Sequence, residues 1–438
     1  MGADVAIAAG GAPPPASRTD AKVFWRIVPF LMLCYVVAYL DRVNVGFAKL
    51  QMAGELGFSE TVYGLGAGLF FIGYFLFEVP SNMALARVGA RVWIARIMAT
   101  WGVLSCAFVF VNSATMFYVL RFLLGAAEAG FYPGVIYFLT HWFPAQRRAR
   151  VITVFMAAIP IAGIFGNPLS GWIIQAFDGS HGLAGWRWMF LLEGVPAMVL
   201  AVACLKYLDD RPANARWLQP AERAALDAEI EAEAAAKSSS PGGIGQVLRD
   251  GRIWFASLIY FTFVAGQYGL TLWMPTLVQA AGVKGALQIG FVSAIPYLAA
   301  AVLMVLLGRS SDRTGERRWH LIAPALFGAV GFVVAANASG VVLGVAALSL
   351  AAAGVLSCAP LFWALPTAFL RGAGAAAGLA VINSVGNLAG FASPYAVGAL
   401  RDATGSSAVG LYVLSLLLVI GALCVFLWRP PTRAAASH

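Results

Sequence analysis

The chain has 438 residues, of which 61% are hydrophobic and 11% charged, with a mean hydropathy of +0.80. A water-soluble protein carries roughly a quarter charged residues, so a soluble globular enzyme and a disordered chain are both excluded. The 29 Lys and Arg outnumber the 20 Asp and Glu, a formal +9, an excess that suits either nucleic acid or a membrane surface until its distribution is read.

An apolar helix needs about 20 residues to cross a hydrocarbon core. Residues 1–22, rich in Gly, Ala and Pro, form a disordered tail with no basic cluster ahead of an apolar core, so they do not read as a cleaved signal peptide. Apolar runs bounded by charge or Gly/Pro punctuation then predict helices over 24–46, 62–86, 92–111, 115–138, 149–177 and 187–207. This first bundle occupies 23–207. The interval 208–252 holds a Glu-rich helix opened by Pro220 and a flexible SSSPGG linker at 238–243. It is too short to bury a core of its own and reads as a cytoplasmic tether. A second bundle, 253–428, holds helices over 253–280, 287–308, 319–337, 341–369, 376–400 and 407–428, followed by a tail at 429–438. The fold class is an all-α integral membrane protein of twelve transmembrane helices in two six-helix halves.

With both termini placed in the cytoplasm, 23 of the 29 basic residues fall in cytoplasmic loops and tails, as the positive-inside rule requires. The basic excess is therefore a membrane signature and nucleic acid is not expected. Cys34, Cys106, Cys204, Cys358 and Cys424 all lie in apolar stretches with no disulfide or metal-ligand spacing. The four histidines sit in loops or at the end, and no phosphate-cradling Gly-rich Lys loop occurs, which disfavours ATP-driven transport.

The halves repeat one another. GRSSDRTGERR (308–318) has its counterpart in ALARVGARVW (84–93), and GIFGNPLSG (163–171) matches GNLAGFASPYAVG (386–398) in small residues and a proline. Such spacing permits close helix approach and bending, and repeated bundles are the architecture of alternating-access carriers. The turn at Gly308, Asp312, Arg313 and Gly315 resembles that of the major facilitator superfamily. Its first-half copy departs from the pattern at Ala86, where an acidic residue is expected. YLDRVNVGFA (39–48), GYFLFEVPSN (73–82), RFLLGAAEAGFYPG (121–134), GLAGWRWMFLLEG (182–194) and PLFWALPTAFL (360–370) resemble the anion:cation symporter family. The likeness is strongest to its bacterial members for tartrate, phthalate and sugar acids.

An ionisable side chain inside a membrane helix is a functional hypothesis by default. Asp41 and Arg42 in the first helix point about 100° apart, and Arg121 and Glu128 in the fourth share a face with about 10.5 Å of rise between them. A structural reading makes them ion pairs locking helices one and four, Arg42 most of all. A functional reading uses the fork of an arginine to attract a carboxylate substrate, and a desolvated carboxylate to load a proton. The family resemblance implies Asp41 and Glu128 as proton carriers, with Arg42 and Arg121 organising the substrate site. Glu78, near a helix end before Pro80, is a gate contact or a proton group; Arg87, Asp312 and Arg313 belong to the interdomain gate. Glu193 and Arg187 read as structural groups at the outer interface. Motif matches add Tyr39, Tyr74, Gln267, Tyr268, Trp363, Asn383 and Asn387 as cavity residues, the two asparagines sharing one helix face. Where some family members carry a glutamine in the fifth helix, this chain has Ile159 and Pro160, which implies another hydroxyl pattern or a more apolar substrate.

The expected function is import of a small organic anion (a sugar acid, a tartrate-like acid or an aromatic dicarboxylate) across the bacterial inner membrane. The driving force is proton symport with alternating access. The proton is the coupling ion, no other cofactor is expected, and the working unit is a monomer in the lipid bilayer. An uncoupled facilitator, an exchanger or an exporter is the alternative. A membrane-embedded enzyme ranks below it, because no nucleophile or metal cluster is visible.

Overall fold

The structure, a computed structural model, describes residues 18–237, 249–370 and 373–428. Most of the expected N-terminal tail, the SSSPGG linker, Arg371 and the C-terminal tail lie outside the described residues.

Among the described residues, eleven helices are long and apolar enough to cross a membrane. The first half contains α1 (Thr19–Leu56), α2 (Glu60–Val88), α3 (Ala90–Phe110), α4 (Ala114–Thr140), α5 (Arg150–Phe177) and α6 (Gly185–Tyr207). The second contains α7 (Gly251–Ala280), α8 (Ala286–Thr314), α9 (Trp319–Asn337) and α10 (Val341–Thr367). Next comes α11, in two pieces, Ala373–Asn387 and Ala389–Thr404, each too short to qualify alone. The chain closes with α12 (Ala408–Leu427). The first piece of α1, Arg18–Val43, starts one residue before the apolar span, so residues 18–22 are helical rather than part of a tail. The reason lies in Asp20 and Lys22, which are held by charged partners described below.

Several helices are interrupted, and the interruptions in α4, α5 and α10 follow from proline chemistry. A proline offers no N–H to the carbonyl four residues before it. Pro133, Pro160 and Pro366 thereby leave the Ala129, Met156 and Phe362 carbonyls without their helical donors. The helix pieces part at those places: Ala114–Glu128 from Phe131–Thr140, Ala145–Met156 from Ala158–Phe177, and Val341–Phe362 from Ala364–Phe369. Between the first pair Gly130 takes φ +87°, and a Cβ there would lie 2.4 Å from the Ser81 hydroxyl, so glycine is required twice over.

Within the first half α3 packs on α6 and α2 on α4, and within the second α9 packs on α10 and α12. The halves meet along α5 against α8, α2 against α11 and the end of α1 against α7. These seams are built from small residues. A Cβ on Gly64 would lie 2.4 Å from the Pro394 carbonyl oxygen, and one on Gly171 would lie 2.3 Å from that of Ala286, so backbone meets backbone across the seam.

One face of the molecule, the latch face, carries a polar cluster that joins the halves. Lys49 pairs with Glu60 at 2.5 Å and donates to the Thr276 hydroxyl at 3.2 Å. Arg401 lies 3.6 Å from Glu60, while Asp402 accepts from the Thr61 amide at 2.7 Å. The Tyr63 hydroxyl donates to the Leu272 carbonyl at 2.6 Å. The opposite face carries the loop helix Pro220–Lys237, clasped to the first half by Lys22–Glu222 at 2.6 Å, Arg148–Glu233 at 3.1 Å, and Arg147 with both Asp20 and Glu229. Lys22 beside Glu222 holds that carboxyl below its usual range. The sign follows from linkage: a depressed carboxyl stabilises above its ordinary pKa, and the clasp is lost only as acid protonates it.

Gly64→Val would force α2 and α11 apart at the latch face while leaving each half intact. A cysteine introduced by Thr276→Cys, a position buried in the sealed seam, is expected to react several-fold faster with an impermeant maleimide when combined with Gly64→Val. Unchanged labelling would count against this seam as the closure.

Candidate functional site

Periodicity brings the site together. Tyr35, Tyr39 and Arg42 recur at helical spacing on one face of α1, as do Phe71 and Tyr74 on α2, and Tyr260, Val264, Gln267 and Tyr268 on α7. All of them line one cavity between the halves. Trp363 at the break in α10 and Asn383 and Asn387 on α11 complete its second-half wall. Eight of the residues singled out in the sequence therefore converge: Tyr39, Arg42, Tyr74, Gln267, Tyr268, Trp363, Asn383 and Asn387.

The walls are aromatic. Phe71 and Tyr268 approach to 4.3 Å between ring centroids across the two halves, and Tyr260 lies 4.9 Å from Trp363. Met156 and Ile159 supply the apolar patch where α5 breaks. The sequence reading misses Tyr35, Phe71, Tyr132 and Tyr260; helical spacing from Tyr39, Tyr74 and Gln267 is the signal for Tyr35, Phe71 and Tyr260, while Tyr132, beyond the break at Ala129, has no such signal.

Among the described residues, Arg42 is the one charged side chain lining the cavity. One of its terminal nitrogens donates to the Tyr268 hydroxyl at 3.0 Å, the other is ion-paired with Glu128, and its Nε is buried without a partner. Its guanidinium also lies 5.3 Å from the Phe70 ring and 5.4 Å from the Tyr74 ring. Glu128 is 1% exposed and is the last residue of its helix piece, next to the break at Ala129. Thus the structure joins helices one and four through Arg42 and Glu128, with the arginine turned to the cavity and the carboxylate behind it. Removing one partner of such a pair typically costs about 3–5 kcal/mol, because the other charge is left buried and alone.

Two expected placements, those of Arg121 and Glu193, need correction. Arg121 does not reach the cavity. It is fully buried behind Phe70, whose ring lies 5.0 Å away, and donates to the backbone carbonyls of Gly66 at 3.4 Å and Ala67 at 3.2 Å. Those carbonyls lie on a different helix, so no spacing within α4 could announce them. Asp41 also faces away from the cavity, accepting from Trp101 Nε1 at 2.6 Å, Ser105 Oγ at 2.8 Å and Asn44 Nδ2 at 3.3 Å. Glu193, taken as an interfacial group, is instead 2% exposed inside the first half, accepting from Asn44 at 2.9 Å and Ser170 at 2.7 Å. Arg187 does sit at the α6 end, paired with Glu55 at 2.9 Å.

The four gate residues separate. Glu78 accepts from Asn383 at 3.2 Å and so links α2 to α11 beside the cavity. Asp312 pairs with Arg317 at 2.8 Å within its own turn, while Arg87 and Arg313 are exposed. Among the described residues none of these three bonds the other half, because the halves are sealed at the latch face rather than where these side chains sit. No cluster of three His, Cys, Asp or Glu that could hold a metal ion occurs among the described residues.

Comparison with known proteins agrees with this architecture. The chain is 50% identical over 407 residues to a putative tartrate transporter of Agrobacterium vitis, covering 93% of this chain and 94% of that one. It is 46% identical to the putative metabolite transport protein NicT of Pseudomonas putida, covering 92% and 93%. It is 38% identical to the inner membrane transport protein RhmT of Escherichia coli, covering 92% and 94%. Among solved structures, a partially occluded inward open conformation of the E. coli xylose transporter XylE superposes with a TM-score of 0.76 at 15% identity, covering 95% of this chain and 100% of that one. The family model for the Major Facilitator Superfamily matches residues 31–394. A multi-pass, all-helical chain with an arginine-bearing cavity between two six-helix halves is thus a transporter and not an enzyme, and it belongs to the Major Facilitator Superfamily.

Proposed function

We propose that the protein imports a small organic anion by proton symport, with the cavity at Arg42 as the substrate site. The observation that carries this reading is the Arg42–Glu128 ion pair at the cavity wall. A substrate carboxylate forks onto the same guanidinium that holds Glu128. Glu128 then gives up part of its counter-charge inside a dry bundle and takes a proton. By linkage the reverse holds: protonating Glu128 frees Arg42 for the anion. Anion and proton therefore load together, and the empty cavity returns with the ion pair re-formed.

The loop face is the cytoplasmic one, in the inner membrane of a bacterium, because the basic loops lie there. A monomer suffices, since the cavity is complete within one chain. The working substrate class is a hydroxy diacid of the tartrate type. The name of the relative at 50% identity supports it, as do the hydrogen-bonding groups of Tyr39, Gln267, Asn383 and Asn387 around the cavity. Ile159 stands where the wall is apolar, which admits an aromatic dicarboxylate more readily than a polyhydroxylated sugar acid. Membership of the anion:cation symporters follows from the same reading.

Two variants test it in proteoliposomes. Glu128→Gln is expected to abolish uphill accumulation of L-tartrate or phthalate driven by a proton gradient while leaving counterflow within about threefold; undiminished accumulation would remove Glu128 from coupling. Arg42→Lys keeps the charge but loses the planar fork, and is expected to lower uptake of carboxylates at least about tenfold, since a bidentate charged contact is worth more than about 1.4 kcal/mol. Unchanged affinity in that variant, or an anion flux that carries no protons, would point to a facilitator or exchanger instead.

A further inference from the structure

Where α2 turns into α3, on the face of the loop helix, positive charge goes unanswered. Arg87, Arg91 and Arg96 fall within ten residues of one another, and none has an ion pair among the described residues. The carboxylate beside that turn, Asp210, is taken up by the Arg91 amide, which donates to it at 2.8 Å.

Arg96 is the best organised of the three. Its guanidinium lies 4.0 Å from the centre of the Trp93 ring, a cation–π contact well inside the usual limit of about 6 Å. The ring is itself fixed, because Trp93 Nε1 donates to the Ser81 hydroxyl at 3.0 Å and Ser81 lies against Gly130 at the break in α4. Arg96 Nε is buried without a partner. Val92, Arg96 and Val103 recur at helical spacing, and both valines are exposed, whereas Ile94, Ile97 and Met98 are buried. Arg96 therefore stands on the stripe of α3 that faces lipid.

A charge on such a stripe is tolerated where its side chain reaches the headgroups. Arg96 is six residues into α3 from Ala90, about 9 Å along the axis at 1.5 Å per residue. Helical side chains lean toward the N-terminus, and resting on Trp93 brings the guanidinium to about 4.5 Å from the helix start by the same rise, the depth of lipid phosphates.

We propose that Arg96, laid on Trp93, binds the phosphate of an anionic glycerophospholipid, with an acyl chain along the Val92–Val103 stripe. A free phosphate suits the guanidinium equally but leaves the valines bare; a lipid covers both. A choline or ethanolamine headgroup carries its own ammonium, which Arg87 and Arg91 on the same turn repel, so a phosphodiester with no internal cation is preferred. The site lies outside the substrate cavity and does not depend on the symport reading.

The test is native mass spectrometry of the full-length protein in non-ionic detergent, titrated with phosphatidylglycerol or phosphatidylcholine. The wild-type protein is expected to hold its first phosphatidylglycerol about fivefold more tightly than phosphatidylcholine, the worth of one arginine at an anionic surface. Arg96→Gln should remove that preference. Arg96→Lys keeps the charge but not the planar stack, so it should reduce the preference even if the Gln variant folds poorly, and Arg309→Gln, an exposed arginine of the other half, should leave it intact. Glycerol 3-phosphate, which has the phosphate and no acyl chains, should fail to displace the bound lipid at equal concentration. A preference that survives Arg96→Gln, or is lost equally in Arg309→Gln, overturns the site; displacement by glycerol 3-phosphate overturns the lipid and marks a site for soluble anions. None of these readouts involves transport, so a failure of symport leaves them unchanged.

Discussion

A guanidinium and a carboxylate facing each other inside an apolar bundle set the terms for the rest of this molecule. Neither Arg42 nor Glu128 could be buried alone, since an unpaired charge in a dry interior costs several kcal/mol. Together they are tolerated, and only while each has the other or an equivalent. That condition makes the cavity selective, because an anion satisfies Arg42 where a neutral molecule does not. In the symport proposed above it also makes the cavity a switch, because an anion that takes Arg42 leaves Glu128 in need of a proton. Phe70, Tyr74 and Tyr268 around the guanidinium fix its position and keep the exchange local.

A switch of this kind is useful only if the two halves can part. The seams provide for that in part through direct backbone contact. Where Gly64 meets Pro394 and Gly171 meets Ala286, backbone lies against backbone. Polar links also cross the seams: Lys49, Glu60, Arg401, Thr61 with Asp402 and Tyr63 with the Leu272 carbonyl at the latch face, Asn167 with the Ser293 carbonyl between α5 and α8, and Arg42 with Tyr268 and Glu78 with Asn383 at the cavity. Proline-broken helices complete the arrangement. The breaks in α4, α5 and α10 lie next to Glu128, Ile159 and Trp363, so the helices bend where the cavity wall must adjust.

Much of this was legible from residue order. Twelve apolar runs, a charged interval and duplicated motifs are one-dimensional properties, and so is the helical spacing that puts Tyr39, Arg42, Gln267 and Tyr268 on inward faces. Partner choice was not. Arg121 and Glu128 share a face of one helix, which suggested a common cavity, yet Arg121 found the Gly66 and Ala67 carbonyls and Glu128 found Arg42. Those choices depend on how far α2 and α1 approach α4, a quantity set by Gly73 and Gly125 across the bundle and by the bend at Gly130. Glu193 was misplaced for a related reason. Its neighbours in sequence are interfacial, but Ser170 and Asn44 come from two other helices. The turn at Asp312 and Arg313 carries a strong motif, and its side chains bond within the turn because this conformation is sealed at the opposite face.

At the centre stands the claim that the anion displaces Glu128 from Arg42 and so brings a proton with it. The most direct measurement is proton uptake on binding: L-tartrate added to purified protein in weakly buffered solution, with the pH change compared with the amount bound. The medium is expected to turn more alkaline in proportion to bound anion, approaching one proton per molecule, and Glu128→Gln is expected to bind without this change. Saturable binding of the anion with no proton taken up by the wild-type protein would contradict it.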